Sequence, residues 1–270
     1  MGDRVHDYFK ESDDEKPKPG HFQKVLSLHE EPVLNWDTVS KQIPLLSRGW
    51  FELSRLPKED RIEFTKEYWF AKLNPIASDE IDFENRLHIF FSKLDDIGIF
   101  ATQEHLSNHF ELHMVYSLKE NSGFFHGSLP ASFETIETFK KQFGNFTLPP
   151  DYLAFLSVHD GFSKYTDTGL IKTRDMARYY LRFQELNAGE LILGPDGTMI
   201  DPKSLIPFYE SFALHCYQCF CAEWAPKGEM GNLYYAEIEE EGLDFFYHTS
   251  LDEHFAFPTF LGWQLTYLET

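Results

Sequence analysis

The spacing of apolar residues changes near residue 168, and this change limits the folds open to the chain. Before it, apolar side chains recur every three or four residues, which is typical of amphipathic helices. After it, short aromatic-rich runs alternate with turn sequences such as Gly-Pro-Asp-Gly at 194–197, which is typical of strands. The sequence therefore predicts an α+β fold, with helices first and strands later.

The first half is expected to be mainly helical between about residues 36 and 120. Its clearest helix has apolar residues at spacings of three and four on one face, and Gly98 is expected to help end it. These apolar residues are Phe83, Leu87, Phe90, Phe91 and Leu94.

Three helices are also predicted beyond residue 130. Ser132 occupies an N-cap position of the first, and Gly144 stands where a left-handed C-cap is expected. The second begins at Pro149-Pro150 and ends at Asp160-Gly161, since proline suits a first helical turn. The last is an amphipathic helix over 257–269.

Polar and glycine-rich stretches divide the chain. Residues 1–20 are polar and end in Pro17, Pro19 and Gly20, which predicts a disordered leader. A second polar stretch at 117–132 predicts a boundary, so that 21–127 form the mainly helical N-terminal region and 128–270 a separate domain. Residues 1–127 carry 15 basic and 23 acidic side chains, and residues 128–270 carry 9 and 21.

Composition limits the function classes. The 270-residue chain has 27 phenylalanines, which indicate an aromatic globular core. Its net charge of −20 repels nucleic-acid phosphates and anionic lipid, so we expect no direct binding to either. No apolar run reaches the roughly 18 to 20 residues that cross a bilayer, no secretory signal is present, and three cysteines make no disulfide framework. A cytoplasmic location is expected.

All three cysteines lie in the run His-Cys-Tyr-Gln-Cys-Phe-Cys at 215–221. Cys216 and Cys219 have the spacing of half a zinc site, but no second ligand pair follows. Read as a strand, residues 215, 217, 219 and 221 share one face. Because free cysteine is often buried, we interpret this run as a buried strand.

The alternative function is that of a metal-dependent hydrolase. Its metal would be bound either by the cysteine strand (216–221) or by a series of three histidines. His105, His109 and His113 would lie along one face of a helix. However, Glu111 is one position too late for the metalloprotease motif, and "HFELHMVYSL" also permits a strand.

Other enzymatic signatures are missing from the sequence. His159-Asp160-Gly161 has the adjacent His and Asp of some metal phosphohydrolases but fits a helix end and turn. No nucleophile elbow, phosphate-binding loop or dinucleotide fingerprint occurs. The sequence predicts no enzyme, no cofactor and no metal site.

Residues 131–162 carry the pattern that is most specific to a family. A helix is followed by Leu148-Pro149-Pro150-Asp151-Tyr152, then Phe155-Leu156 and Asp160-Gly161. With the strand, Gly-rich turn and strand of 220–240 and the last helix, this resembles the Smi/Knr-type domain of the SUKH superfamily over about 131–270. The family usually has Asn-Gly at 160–161.

The resemblance implies a bent, mainly antiparallel sheet flanked by helices, with no catalytic residues. Members of this superfamily bind other proteins, as bacterial toxin-immunity proteins or as fungal regulators of cell-wall assembly. The motif residues of this chain are then structural and do not contact the partner.

A basic protein partner, such as a nuclease toxin, would fit the acidic surface. The expected contact lies in the acidic turn after a predicted strand, where aromatic residues would act as anchors. The set comprises Tyr234, Tyr235, Glu237, Glu239, Glu240, Glu241, Asp244 and Phe246.

Overall fold

The computed structural model describes residues 1–12, 20–77, 80, 82–105, 107–189, 192–193, 197–212, 215–236 and 256–269. The chain forms two compact units, each assembled from separate stretches. The N-terminal unit comprises Met1–Lys72, Glu84–Leu129 and Phe162–Thr166. The C-terminal unit comprises Leu73–Phe83, Pro130–Gly161 and Asp167–Thr270.

The N-terminal unit combines helices with an antiparallel sheet. Its helices are α1 Asp3–Tyr8, α2 Trp36–Gln42, α3 Arg48–Arg55, α4 Lys58–Leu73 and α5 Phe83–Ser92. Its strands are β1 Lys10–Glu11, β2 His21–Phe22, β3 Lys24–Ser27, β4 Leu94–Gln103, β5 Phe110–Leu118, β6 Phe124–Ser128 and β7 Phe162–Lys164. The sheet has the strand order β3-β4-β5-β6-β7, so its edge strand β7 comes from a stretch far beyond the other four strands.

The disordered leader predicted for residues 1–20 is wrong at residues 3–8, which form α1. Val5 on this helix is buried in the core of the unit.

Aromatic rings form the core of this unit. Trp69 on α4 is fully buried, and its indole N–H donates a hydrogen bond of 3.0 Å to the Tyr116 hydroxyl on β5. The rings of Phe91 and Phe162 lie 5.7 and 5.8 Å from Trp69, with edges turned toward it. This arrangement buries the indole without leaving its polar N–H unpaired.

The predicted amphipathic helix is confirmed as α5 except for Leu94, which is the first residue of strand β4, and the role expected for Gly98 is wrong. The helix ends at Ser92, and Gly98 lies inside strand β4. A Cβ at Gly98 would approach the Met1 side chain to 2.4 Å and the His29 ring to 2.5 Å. Close packing therefore requires glycine at position 98. From the sequence alone, this role of glycine cannot be distinguished from that of ending a helix.

The C-terminal unit combines helices with an antiparallel sheet and a separate pair of strands. Its helices are α6 Phe133–Gln142, α7 Pro150–Leu156, α8 Thr173–Leu186 and α9 Phe260–Glu269. Its strands are β8 Gly169–Leu170, β9 Ile192–Leu193, β10 Met199–Ile200, β11 Leu205–Ser211, β12 Cys216–Cys221, β13 Gly231–Ala236 and β14 Ala256–Phe257. The sheet has the strand order β14-β13-β12-β11-β8, and β9 pairs with β10 separately.

Helices cover both faces of this sheet. On one face, Phe183 of α8 lies 5.6 Å from Tyr217 of β12. On the other face, Phe220 of β12 lies 4.9 Å from Tyr152 of α7 and 6.3 Å from Phe260 of α9. The α+β fold class, with antiparallel sheets flanked by helices and a helical N-terminal region, is confirmed. The expectation of helices throughout 36–120 is wrong at 94–103 and 110–118, which form strands β4 and β5. In the described ranges, no helix is long and apolar enough to cross a bilayer.

A β-bulge in β11 directs two consecutive rings to the α9 side. The register with β12 shifts between Pro207 and Tyr209. As a result, Phe208 stacks on Phe220 at 4.1 Å while Tyr209 lies 5.1 Å from Trp263 of α9. An extra residue in one strand is what allows neighbouring side chains to point the same way.

The ends of the helices test the capping predictions. Ser132 accepts a hydrogen bond of 3.1 Å from the Thr135 N–H, which confirms it as the N-cap of α6. The left-handed C-cap predicted at Gly144 is wrong, because positive φ values are not found there and the Gly144 N–H bonds to the Lys141 carbonyl. Helix α7 begins at Pro150 as predicted but ends at Leu156, before the turn that leads to Gly161.

Candidate protein-binding surface

The predicted contact residues begin on strand β13. The structure describes Tyr234 and Tyr235. The other six lie outside the described residues: Glu237, Glu239, Glu240, Glu241, Asp244 and Phe246.

The two tyrosines point to opposite faces of β13. Tyr235 faces the core, where its ring lies 5.0 Å from Phe183 and its hydroxyl donates a hydrogen bond to the Asn187 side-chain oxygen. Tyr234 is 39% exposed, and a hydrogen bond joins its hydroxyl to Cys216. Partial burial raises the pKa of Tyr234, so the phenol stays neutral at physiological pH. Of the pair, Tyr234 is the ring that a partner can reach.

The cysteine run forms strand β12, as interpreted from its sequence. Cys219 and Cys221 are fully buried and pack with Tyr217 and Leu205 in the core under α8. Burial raises the pKa of both thiols, which keeps them protonated and unsuited to metal binding or nucleophilic attack. Cys216 at the strand end is only partly buried.

The histidine series does not lie on a helix, so the prediction that the three histidines share one helical face is wrong. His113 is on β5, whose pairing with β4 makes this segment a strand, while His105 and His109 precede it in the connection. His113 Nε2 lies 3.0 Å from the Thr102 hydroxyl on β4. Among the residues that the structure describes, no three His, Cys, Asp or Glu side chains come together as metal ligands.

Asp160 of the His-Asp-Gly sequence caps helix α8. Its carboxylate accepts hydrogen bonds of 2.7 Å from both the backbone N–H and the hydroxyl of Thr173. The N-cap residue Lys172 provides no side-chain cap of its own. Gly161 has φ +101°, and a Cβ there would meet Lys172 Cγ at 2.8 Å. Both residues therefore shape the turn into α8.

Asp151 of the Leu-Pro-Pro-Asp-Tyr sequence has a role that the sequence did not reveal. It is 4% exposed, and its carboxylate accepts hydrogen bonds from the backbone N–H groups of Tyr152 at 2.8 Å and Leu261 at 2.9 Å. Burial, which outweighs these two bonds, raises the pKa of Asp151 to about 6. The carboxylate thus holds the first turn of α7 against the first turn of α9.

Two more buried carboxylates in the C-terminal unit were also missed. Asp167 accepts hydrogen bonds of 2.8 Å from the Tyr209 and Tyr267 hydroxyls and from the Phe212 N–H. Glu210 on β11 is 2% exposed, and its charge adds to burial in raising the pKa of Tyr217 on β12. The chain has many acidic residues, and nothing in its sequence distinguishes these buried carboxylates from the exposed ones.

These arrangements join elements of the C-terminal unit to one another. The motif carboxylates of Asp151 and Asp160 are occupied by backbone and hydroxyl donors of the same unit. The buried cysteines pack as small apolar side chains.

Comparison with protein families gives a match over residues 130–256 to the SMI1 / KNR4 family (SUKH-1). The matched range runs from just before α6 to the first residue of β14, and it includes β7. Comparisons with curated proteins and with solved structures give no match.

Proposed function

Because the chain carries an Smi/Knr-type domain of the SUKH superfamily, we propose that it is a non-catalytic, cytoplasmic protein-binding module. In this role it binds and neutralises a basic partner such as a nuclease toxin. The family match is the observation that carries the proposal, since binding other proteins is what the family implies for a domain of this kind.

The acidic charge of residues 128–270 supports a basic partner. Residues 128–270 have 21 acidic side chains against 9 basic ones. A nuclease must present a basic face to the phosphates of its substrate, so an acidic protein is complementary to that face. Complementary charge raises association rates by about 10- to 1,000-fold, which suits an inhibitor that must capture its target quickly.

The contact surface that we propose starts at Tyr234 and continues into the acidic stretch after β13. The half-exposed ring of Tyr234 supplies an aromatic anchor, while Tyr235 supports the strand from the core side. Aromatic anchors surrounded by charge are typical of interface hot spots. The acidic members of the surface are Glu237, Glu239, Glu240, Glu241 and Asp244, and Phe246 is its second anchor.

The direct test uses the product of the neighbouring gene, since an immunity protein and its toxin are normally encoded side by side. We expect calorimetry to give a stoichiometric complex and the complex to have lost the toxic activity of the partner. Failure of basic proteins encoded nearby to bind would contradict the proposal. So would stoichiometric zinc in protein purified without affinity metal, together with hydrolytic turnover.

A further inference from the structure

A buried carboxylate on the α8 side of the C-terminal sheet lacks a full set of partners. Glu210 on β11 is 2% exposed, and in the described part of the chain its Oε1 atom accepts no hydrogen bond. The buried hydroxyl of Tyr217, the residue paired with it on β12, makes no hydrogen bond within the same ranges. Burying two such polar groups side by side is costly, because each loses the hydrogen bonds that water provides. Their pairing indicates a position that a further group completes.

Two tyrosine side chains adjoin this carboxylate. Burial, with the charge of Glu210 adding to it, raises the pKa of Tyr217 and also that of Tyr179 on α8. Tyr179 is only partly buried, so it connects the carboxylate with the surface. Its ring also accepts a guanidinium, since Cζ of Arg178 lies 4.9 Å from the ring centroid. A carboxylate beside aromatic rings suits a cation, which the negative charge and the ring faces both attract.

The arginines of α8 each have another partner. Arg174 and Arg178 lie 3.5 and 3.2 Å from carboxylate oxygens of Asp175. The exposed Arg182 donates a hydrogen bond to Nε2 of His215, the residue just before β12. These contacts leave the buried carboxylate without an arginine partner from α8. A buried charge of this kind gains most from a cation that arrives with a hydrogen-bond donor.

The carboxylate lies at the end of the sheet where the proposed contact surface begins. Glu210, Tyr217 and Tyr235 are consecutive partners across β11, β12 and β13. One residue further along, Cys216 pairs with Ala236, the last residue of β13, and the acidic stretch follows in the sequence. A basic partner that binds this stretch brings its cationic side chains to the same end of the sheet.

We propose that Glu210, Tyr179 and Tyr217 form a subsite for an arginine side chain of the basic partner. The inference rests on the proposed function and deepens it, since it names the side chain that the partner inserts. Arginine fits better than lysine, because its planar guanidinium can bond to a carboxylate with two N–H groups and also stack on a tyrosine ring.

The test uses ethylguanidinium as a probe for the arginine side chain, added to the isotope-labelled full chain. N-ethylurea, which has a similar shape and no charge, is the matched control probe. We expect ethylguanidinium to bind with a dissociation constant of about 1 mM and to shift the amide NMR signals of Tyr179, Glu210 and Tyr217. N-ethylurea at the same concentration should leave these signals unchanged.

Variants locate the binding. We expect Glu210→Gln, which keeps the shape and removes the charge, to weaken ethylguanidinium binding about tenfold or more. Arg182→Ala should strengthen it about threefold, because the charge of Arg182 acts at this position, where it partly offsets the rise in the pKa of Tyr217. Glu185→Gln is the control, since it removes an exposed acidic charge from the same helix and should leave binding unchanged.

Stability separates a binding role of Glu210 from a structural one. Because the carboxylate is incompletely paired in the free chain, Glu210→Gln should have a melting temperature equal to that of the wild type or higher. A clearly lower melting temperature would show that Glu210 serves the fold and would overturn the inference. Equal shifts with the two probes, or equal affinity of the wild type and Glu210→Gln for ethylguanidinium, would also overturn it.

The complex with the neighbouring-gene product separates this inference from the proposed function. We expect that complex to dissociate about tenfold faster with Glu210→Gln than with the wild type. An unchanged dissociation rate would overturn the arginine subsite and leave the proposed function intact. Binding of ethylguanidinium at Glu210 without any complex would contradict the proposed function and leave the cation site in place.

Discussion

The Asp151 carboxylate accepts a 2.9 Å hydrogen bond from the backbone N–H of Leu261, which lies 110 residues further along the chain. This bond joins the start of α7 to the start of α9 on one side of the sheet. It gives the acidic residue of the Leu-Pro-Pro-Asp-Tyr sequence a structural role. A partner protein cannot reach a carboxylate that is 4% exposed.

The raised pKa of Asp151 predicts a specific dependence of stability on pH. The pKa of Asp151 is about 6 in the folded chain, against an ordinary value of 3.8 for an aspartate side chain, so the folded state binds more protons between these two pH values. The free energy of unfolding therefore falls as pH rises from about 4 to 6 and is level above that. The Asp151→Asn variant has no carboxyl to ionise at this position. Relative to this variant, the free energy of unfolding of the wild type should fall by about 3 kcal/mol between pH 4 and 6.

Urea unfolding of both proteins at several pH values measures this difference. The exposed Asp37 provides the control, since the free energy of unfolding of Asp37→Asn should change with pH in the same way as that of the wild type. If the free energies of unfolding of the wild type and Asp151→Asn differ by a constant amount from pH 4 to 7, burial does not raise the pKa of Asp151.

Gly161 and Gly49 form a matched pair for a backbone prediction. Gly161→Ala should lower the free energy of unfolding by about 1 to 3 kcal/mol, because φ +101° is strained for alanine and Lys172 blocks the Cβ. Gly49 in α3 has open space around its Cβ position. Gly49→Ala should leave stability unchanged or raise it by up to about 1 kcal/mol. Thermal or urea unfolding compares the two, and equal effects would contradict the assigned turn.

Local sequence patterns predicted the elements whose causes are local. The helix spacing of Phe83 to Phe91, the Ser132 cap and the strand alternation of 216–221 each depend on neighbouring residues, and each is confirmed. Leu94 and His215, which were expected to extend these two elements, lie outside them. Gly98 and Gly144 were assigned wrongly because glycine also serves close packing and ordinary turns. Only the neighbours in space, such as Met1 beside Gly98, separate these uses.

Relationships between distant residues were not predictable from one sequence. The Asp151–Leu261 bond, the three donors around Asp167 and the addition of β7 to the N-terminal sheet all join stretches that have no shared pattern. In the candidate surface, strand alternation indicates that Tyr234 and Tyr235 face opposite ways. It does not indicate which of them enters the core, because that depends on where α8 packs.

The thiols should differ in reactivity along β12. Cys219 and Cys221 are fully buried with raised pKa values, whereas Cys216 is partly exposed. We expect iodoacetamide near pH 8 to modify Cys216 first and the other two only after unfolding, since the thiolate is the reactive form. Peptide mass spectrometry reads out each site. Modification of all three at similar rates in native protein would contradict the buried strand.

The proposed domains, 21–127 and 128–270, are tested by amide hydrogen exchange on a fragment of residues 128–270. Strand β7 pairs with β6, whose first four residues this fragment lacks. We expect the β7 amides to exchange much faster in the fragment than in the full chain, while β11–β13 keep their protection. Loss of protection in β11–β13 as well would show that residues 128–270 do not fold alone.

The association rate with the basic partner tests the central claim most directly. Changing Glu237, Glu239, Glu240 and Glu241 to Gln should slow association about tenfold at low salt, because these charges are proposed to attract the partner. The control neutralises four exposed acidic residues of α4, namely Glu59, Asp60, Glu63 and Glu67, and so removes the same net charge elsewhere. We predict a much smaller effect for the control, and equal association rates for the two variants in stopped-flow measurements would contradict binding through the acidic surface.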